Sequence, residues 1–166
     1  MKAYCIDTSG LTTPLEHMPQ DIHKSLWRAV TDRIDAGIFA VSTEIYDELE
    51  HVQGELGECL RANKAGIRLE VDDGGWDFPA YIDHSVRMQV DHSAVISEYN
   101  GNRKSTVCLN DLTNVALGKA LGLPVISSEK PLNPPSPWMK IPNLCAAEGV
   151  EHLTFNDFLR REGIIL

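Results

Sequence analysis

The chain opens with an apolar run, Ala3-Tyr4-Cys5-Ile6, and breaks at once into Asp7-Thr8-Ser9-Gly10, as a buried strand does when it ends in a polar turn. After a turn containing Pro14 and Pro19, the residues Ile22, Leu26, Val30 and Ile34 recur at every fourth position until Ala36-Gly37. That spacing predicts an amphipathic helix. An apolar segment at 38–41 predicts the next strand. Ser42-Thr43 then offer capping hydroxyls to a second helix, with Ile45, Leu49, Val52, Leu56 and Leu60 on one stripe.

Farther on, 67–71 reads as a strand or sheet edge, Asp72-Asp73-Gly74-Gly75 as a turn and 76–79 as a loop. Over 80–99, Ile82, Val86, Val90 and Ala94 form an apolar face that predicts a third helix, closed by Asn100-Gly101-Asn102 and followed by the basic loop Arg103-Lys104. Asn110-Asp111 opens a helix carrying Leu112, Val115, Ala116 and Ala120, which Gly122 ends before a strand at 124–127. The proline-rich stretch 130–139 is a loop. A helix from Pro142, a strand at 150–153, a Thr154-x-x-Asp157 cap and a last helix to Glu162 complete the chain. Strands separated by helices predict an α/β fold of three layers, with a mostly parallel central sheet flanked by helices.

Composition bounds this picture without redirecting it. The 166 residues, 43% hydrophobic and 23% charged, fit a single domain over 1–166, with one core as the default. No stretch is long enough to span a membrane and no basic-then-apolar leader opens the chain, so the reading is cytoplasmic. The cysteines Cys5, Cys59, Cys108 and Cys145 are scattered and read as free thiols. A net charge of −9 disfavours a protein that coats nucleic acid by neutralising phosphate, yet it leaves room for a metal-dependent nuclease, whose clustered acids are negative until cations bind.

The acids carry the candidate chemistry. Ligand sites in parallel sheets lie beyond the carboxyl ends of the strands, where Asp7 and Glu129 each follow a predicted strand. Glu48 flanks the inward side of its helix, and Asp111 lies in the first turn of another. Singly, each has an ordinary alternative. Asp111 complements a helix dipole, an effect worth about 0.3 to 1 kcal/mol. Glu48 belongs to an acid-rich helix surface and Glu129 to a turn with Lys130. Asp7 is harder to dismiss, because an acid directly after a core strand is costly unless it is paired, hydrogen-bonded or metal-bound. Converging carboxylates are what Mg²⁺ or Mn²⁺ takes from a protein, and in paired metal sites they serve in-line phosphoryl displacement.

Taken in order, these segments resemble the PIN-domain ribonucleases, which include toxins of toxin–antitoxin pairs. Cys5-Ile6-Asp7-Thr8-Ser9 is similar to that family's opening apolar-Asp-Thr/Ser-Asn/Ser element, and Ser42 through Glu48-Leu49 to its Ser-to-Glu-Leu helix. Asp111 with Val115-Ala116 resembles its Asp-x-x-x-Ile-Ala segment, and Val125-Ile126-Ser127-Ser128-Glu129 its apolar-apolar-Thr-x-Asp element. The tail Lys140-Ile141-Pro142-Asn143-Leu144-Cys145 is similar to a divergent PIN-like subgroup. Ser9 stands where Asn is commoner, and Glu129 where Asp is usual.

The resemblance implies a Mg²⁺- or Mn²⁺-dependent endoribonuclease with Asp7, Glu48, Asp111 and Glu129 as metal ligands, direct or through water. Ser9 and Ser127 would be supporting residues. It implies RNA as substrate, in-line attack by water leaving 5′-phosphate and 3′-hydroxyl ends, a cognate antitoxin protein as partner, and a homodimer. Arg103, Lys104 and Lys130 are candidates for the RNA backbone, although exposed loop bases are more often simply solvated. The alternative is a catalytically inactive PIN-like module that binds RNA or protein.

Other classes fit less well. A phosphorylated receiver domain shares a Lys-Pro element at Lys130-Pro131 but needs paired acids at the first strand and a phosphoacceptor Asp. A haloacid-dehalogenase-type phosphatase needs an acid where Ser9 stands. The residues His17, His23, His51, His84, His92 and His152 lack zinc-ligand spacing, and Asp72, Asp73 and Asp77 miss the calcium-loop pattern.

Overall fold

Successive strand residues point to opposite faces of a sheet, and in this chain the alternation separates two cores. Strand β1 (Tyr4–Ile6) pairs in parallel with β2 (Phe39–Ala40) on one side and β3 (Val125–Ile126) on the other, and β3 pairs in parallel with β4 (His152–Leu153), giving the order β2-β1-β3-β4. Tyr4, Ile6, Phe39, Ile126 and Leu153 enter one core, and Cys5, Ala40 and Val125 enter the other. The computed structural model describes residues 1–71, 74–134 and 136–165. The turn predicted at Asp72-Asp73 lies outside the described residues.

Helices α1 (Thr8–Glu16), α2 (Lys24–Asp35), α3 (Thr43–Leu49), α4 (Gly54–Ala62), the short α5 (Lys64–Ile67) and, near the C-terminus, α9 (Phe155–Arg161) cover the first face. There Tyr4 meets Phe158 edge-on, with ring centroids 5.4 Å apart, a favoured aromatic geometry. Helices α6 (Phe78–Asp91), α7 (Leu109–Leu121) and α8 (Ile141–Glu148) cover the second. This is the α/β architecture of helix, parallel sheet and helix that the hydrophobic pattern predicts. All four cysteines are free thiols, and among the described residues no helix is long and apolar enough to cross a membrane.

Three local expectations are corrected. The turn expected after β1 is helix α1, which keeps Pro14 inside it and buries Gly10, Leu11 and Leu15. The single helix expected from Ser42 onward is two, because the chain folds back at 50–53. Arg61 Nη1 donates to the carbonyls of Glu50 and Val52, each at 2.9 Å, and Gly54 adopts φ +72°, a left-handed conformation suited to glycine. The hydrophobic stripe nevertheless stays in phase across the break, with Ile45, Leu49, Leu56 and Leu60 all buried.

The helix expected over 80–99 ends at Asp91, followed by a 3₁₀ turn over Ser93–Val95, and it faces the other way. Its buried residues are Tyr81, Ser85 and Met88, while Val86 and Val90 stay 57% and 71% exposed. The physical reason lies in its partners: Ser85 is small enough for close packing and donates to the Tyr81 carbonyl at 2.8 Å, and Arg87 reaches the buried Glu148. The predicted strand edge at 67–71 is a single parallel bridge between Val41 and Arg68.

Candidate metal centre

Asp7 is the first residue beyond β1 and the N-cap of α1, so one residue ends the strand and begins the helix. Its side chain, 6% exposed, accepts from the Ser9 amide at 3.0 Å and from the Ser9 hydroxyl. The same hydroxyl accepts the Ser128 amide at 3.2 Å, which ties the end of β1 to the segment after β3. Close contact makes this possible: a Cβ on Gly10 would stand 2.6 Å from the Ile126 carbonyl oxygen. Burial pushes the Asp7 carboxyl up, Ser9 opposes that, and the charges of Glu48 and Glu129 push it further.

Helix α3 begins where β2 stops, capped by Ser42, and carries Glu48 back to the same edge. Thr8 Oγ1 donates to Glu48 Oε2 at 2.9 Å, and Asn110 Nδ2 donates to Oε1 at 2.8 Å. Glu48 is therefore held between the start of α1 and the start of α7.

Asp111 occupies the third position of α7 and closes a capping box, accepting the Cys108 amide at 3.1 Å while the Cys108 sulfur receives its own amide at 3.4 Å. The helix thus begins before the Asn110-Asp111 pair expected to open it. Burial raises the Asp111 carboxyl to about 6, and the charges of Asp7 and Glu129 act in the same sense. The ordinary dipole-complementing role and the cluster role coexist in this residue.

Glu129 accepts the Ile141 amide at 2.8 Å at the start of α8, and Lys140 Nζ stands 3.9 Å away. Ser127 is fully buried and turns from the edge toward His152, 2.8 Å away, while its hydroxyl accepts the Glu129 amide at 3.3 Å. It supports Glu129 through the backbone. Arg103 lies over the Trp138 ring at 5.5 Å, and Lys104 and Lys130 are exposed.

The donor set is all oxygen, which suits a hard divalent cation. Burial, with mutual repulsion added, raises Asp7 and Asp111, and a bound cation relieves the repulsion. Among the described residues, no three His, Cys, Asp or Glu side chains form a group that could hold a metal as they stand. Mg²⁺ is commonly held by one or two carboxylates with its shell completed by water.

Three residues were not among the sequence candidates. In the sequence Asn110 stands as a helix opener and Lys140 as part of the tail motif. Asn114, one turn on from Asp111, is fully buried with neither amide atom bonded to protein among the described residues. Its signal was a polar residue three positions after Asp111, on the same helix face.

No curated protein matches the chain. A family model described as "Domain of unknown function (DUF4411)" matches residues 4–166, a span that takes in β1 through α9 and all four acids, and the chain belongs to that family.

Proposed function

We propose that this protein is a Mg²⁺- or Mn²⁺-dependent endoribonuclease of the PIN-domain type. The observation that carries the reading is the electrostatic coupling of acids from four separate segments. Burial raises Asp7 and Asp111, and the charges of Glu48 and Glu129 on Asp7, and of Asp7 and Glu129 on Asp111, act in the same sense. Natural chains seldom gather several acids at a half-buried edge, because each adds desolvation and repulsion.

In this reading Asp7, Glu48, Asp111 and Glu129 would hold the cation, directly or through water. A bound divalent cation polarises the scissile phosphodiester and lowers the pKa of an attacking water. The protein's own part is placement: Ser9 fixes Asp7, Thr8 and Asn110 fix Glu48, the Cys108 amide fixes Asp111, and the Ile141 amide fixes Glu129. Lys140 and the exposed Lys130, Arg103 and Lys104 offer positive charge to an RNA backbone. On the same reading the chain is a cytoplasmic toxin, homodimeric and paired with an antitoxin protein; the resemblance supports the toxin, the dimer and the antitoxin.

The test is cleavage of a mixed RNA pool by purified wild type and Asp7→Asn, with Mg²⁺ and with EDTA, alongside growth on expression of each. Wild type is expected to cut only with metal and to arrest growth, and Asp7→Asn to do neither. Undiminished cleavage by Asp7→Asn removes the acids from the mechanism. Binding of RNA without cleavage by wild type favours the inactive module.

A further inference from the structure

The break between α3 and α4 opens a cavity of about 560 Å³ whose rim includes Thr8 and Glu48, so it continues directly from the candidate metal centre. Its walls are largely apolar: Leu15, Val52 and Leu56 on the sides, with the indole of Trp27 between them. Trp27 Nε1 donates to the Met18 carbonyl at 2.6 Å. That bond holds the ring in place and occupies its polar edge, leaving the π face for contact. Trp27 also lines a second hollow of about 550 Å³, where Lys24 and Arg28 balance the charges of Asp21 and Glu55. Neither cation is in an ion pair among the described residues.

Resting on the ribonuclease reading above, we infer that the Trp27 cavity receives an unpaired base of the RNA strand at the metal centre, while Lys24 and Arg28 receive the adjoining phosphate. Charge decides which part of the nucleotide enters. Glu16 and Glu48 at the rim repel phosphate, whereas a neutral base stacks on an aromatic face whatever its sequence.

The polar rim adds a hydrogen bond. Gln53 Nε2 donates to the His51 carbonyl at 2.9 Å. That leaves Gln53 Oε1 to accept, and it matches an N–H on the pairing edge of any of the four bases, an exocyclic amino group in adenine, cytosine and guanine or the ring N3–H of uracil.

The test uses the full chain and fluorescently labelled 2′-O-methyl oligomers of A, C and U. These resist cleavage, so binding by anisotropy is read separately from catalysis. Wild type is expected to bind all three oligomers. Trp27→Leu should weaken binding about tenfold or more, Gln53→Ala should weaken all three oligomers, and Lys24→Ala with Arg28→Ala should weaken all three equally and more so at low salt. Gln53 is exposed, so its variant tests the inference even where Trp27→Leu unfolds. Binding that neither Gln53→Ala nor Trp27→Leu weakens overturns it. So does capture of an amphipathic peptide in this cleft by a chain that binds no oligomer. A wild type that shows the binding pattern but cuts no RNA leaves the cavity assignment standing and removes the ribonuclease reading.

Discussion

Thr8 donates to Glu48 across 2.9 Å, so the side chain next to the buried Asp7 aims an acid that is itself exposed. Asn110 holds the other oxygen at 2.8 Å. Hydrogen-bond partners of a metal ligand commonly matter about tenfold or more to metal affinity. Thr8→Val and Asn110→Ala are each expected to weaken Mn²⁺ binding by up to about tenfold, and the double variant to approach Glu48→Gln. Titration calorimetry checks this. A double variant that binds Mn²⁺ like wild type excludes Glu48 as a ligand.

Gly10 is the second test of how the edge is built. A Cβ there would stand 2.6 Å from the Ile126 carbonyl, which is backbone and cannot rotate aside. Overpacking of this kind costs about 1 to 3 kcal/mol. Gly10→Ala is expected to lower the melting temperature and to cut RNA cleavage further than the stability loss alone accounts for, because the displaced α1 carries Asp7 and Ser9. Cleavage measured well below the transition separates the two. An unchanged rate there means that the tie between Ser9 and Ser128 does not position the site.

The charge cluster fixes a pH dependence. The folded pKa of Asp111, about 6, lies above its unfolded value of about 3.9, so its protonated form favours folding. The metal-free protein loses that contribution as pH rises from about 4 through 6, and carries the full penalty above it. Burial lowers the pKa of His152, which acts in the opposite sense over part of this range, so the informative quantity is a difference. Asp111→Asn, in EDTA, is expected to be more stable than wild type at pH 7.5, on the order of 2 kcal/mol, with no advantage at pH 4. Saturating Mg²⁺ should remove the advantage at pH 7.5. Denaturant melts at both pH values decide it, and a variant less stable than wild type at pH 7.5 contradicts the assigned direction.

Helix α6 shows where sequence patterning stops. Ile82, Val86 and Val90 make a regular stripe, but Tyr81, Ser85 and Met88 make another beside it, and only contacts from distant segments choose between them. Elsewhere local signals sufficed: the apolar runs ending at Asp7 and at Ser127 predict the central strands, and the Thr154-x-x-Asp157 cap predicts α9. Helix α1 escaped because Pro14 and Gly10 argue against helix locally, while the close fit to Ile126 is a long-range fact. The donors to Glu48 escaped for the same reason, since residues 8, 48 and 110 meet only in three dimensions. Val86→Asp is expected to shift stability by less than about 0.5 kcal/mol and Met88→Ala to cost about 2 to 5. The reverse order would turn α6 back to the face its hydrophobic stripe suggested.

Glu148 gives the last prediction, well away from the acids in sequence role and pairing. Its side chain, 5% exposed, meets Arg87, Lys119 at 3.0 Å and His92 at 2.7 Å, which joins α6, α7 and α8. The Arg87 guanidinium leads in holding its carboxyl down, to about 2. A depressed folded pKa means that this stability is present above the unfolded value of about 4.3 and is lost as pH falls toward 2. Removing one member of a buried ionic cluster leaves the others uncompensated, at about 3 to 5 kcal/mol. Glu148→Gln is expected to lose stability of that order at pH 6, and much less at pH 2.5, where the wild-type carboxyl is itself becoming protonated. Mn²⁺ affinity at pH 7 should be unchanged in the folded variant, because none of the four acids bonds to this cluster. A stability difference between wild type and variant that stays constant from pH 6 to pH 2.5 means that the carboxylate charge is not what holds the three helices together.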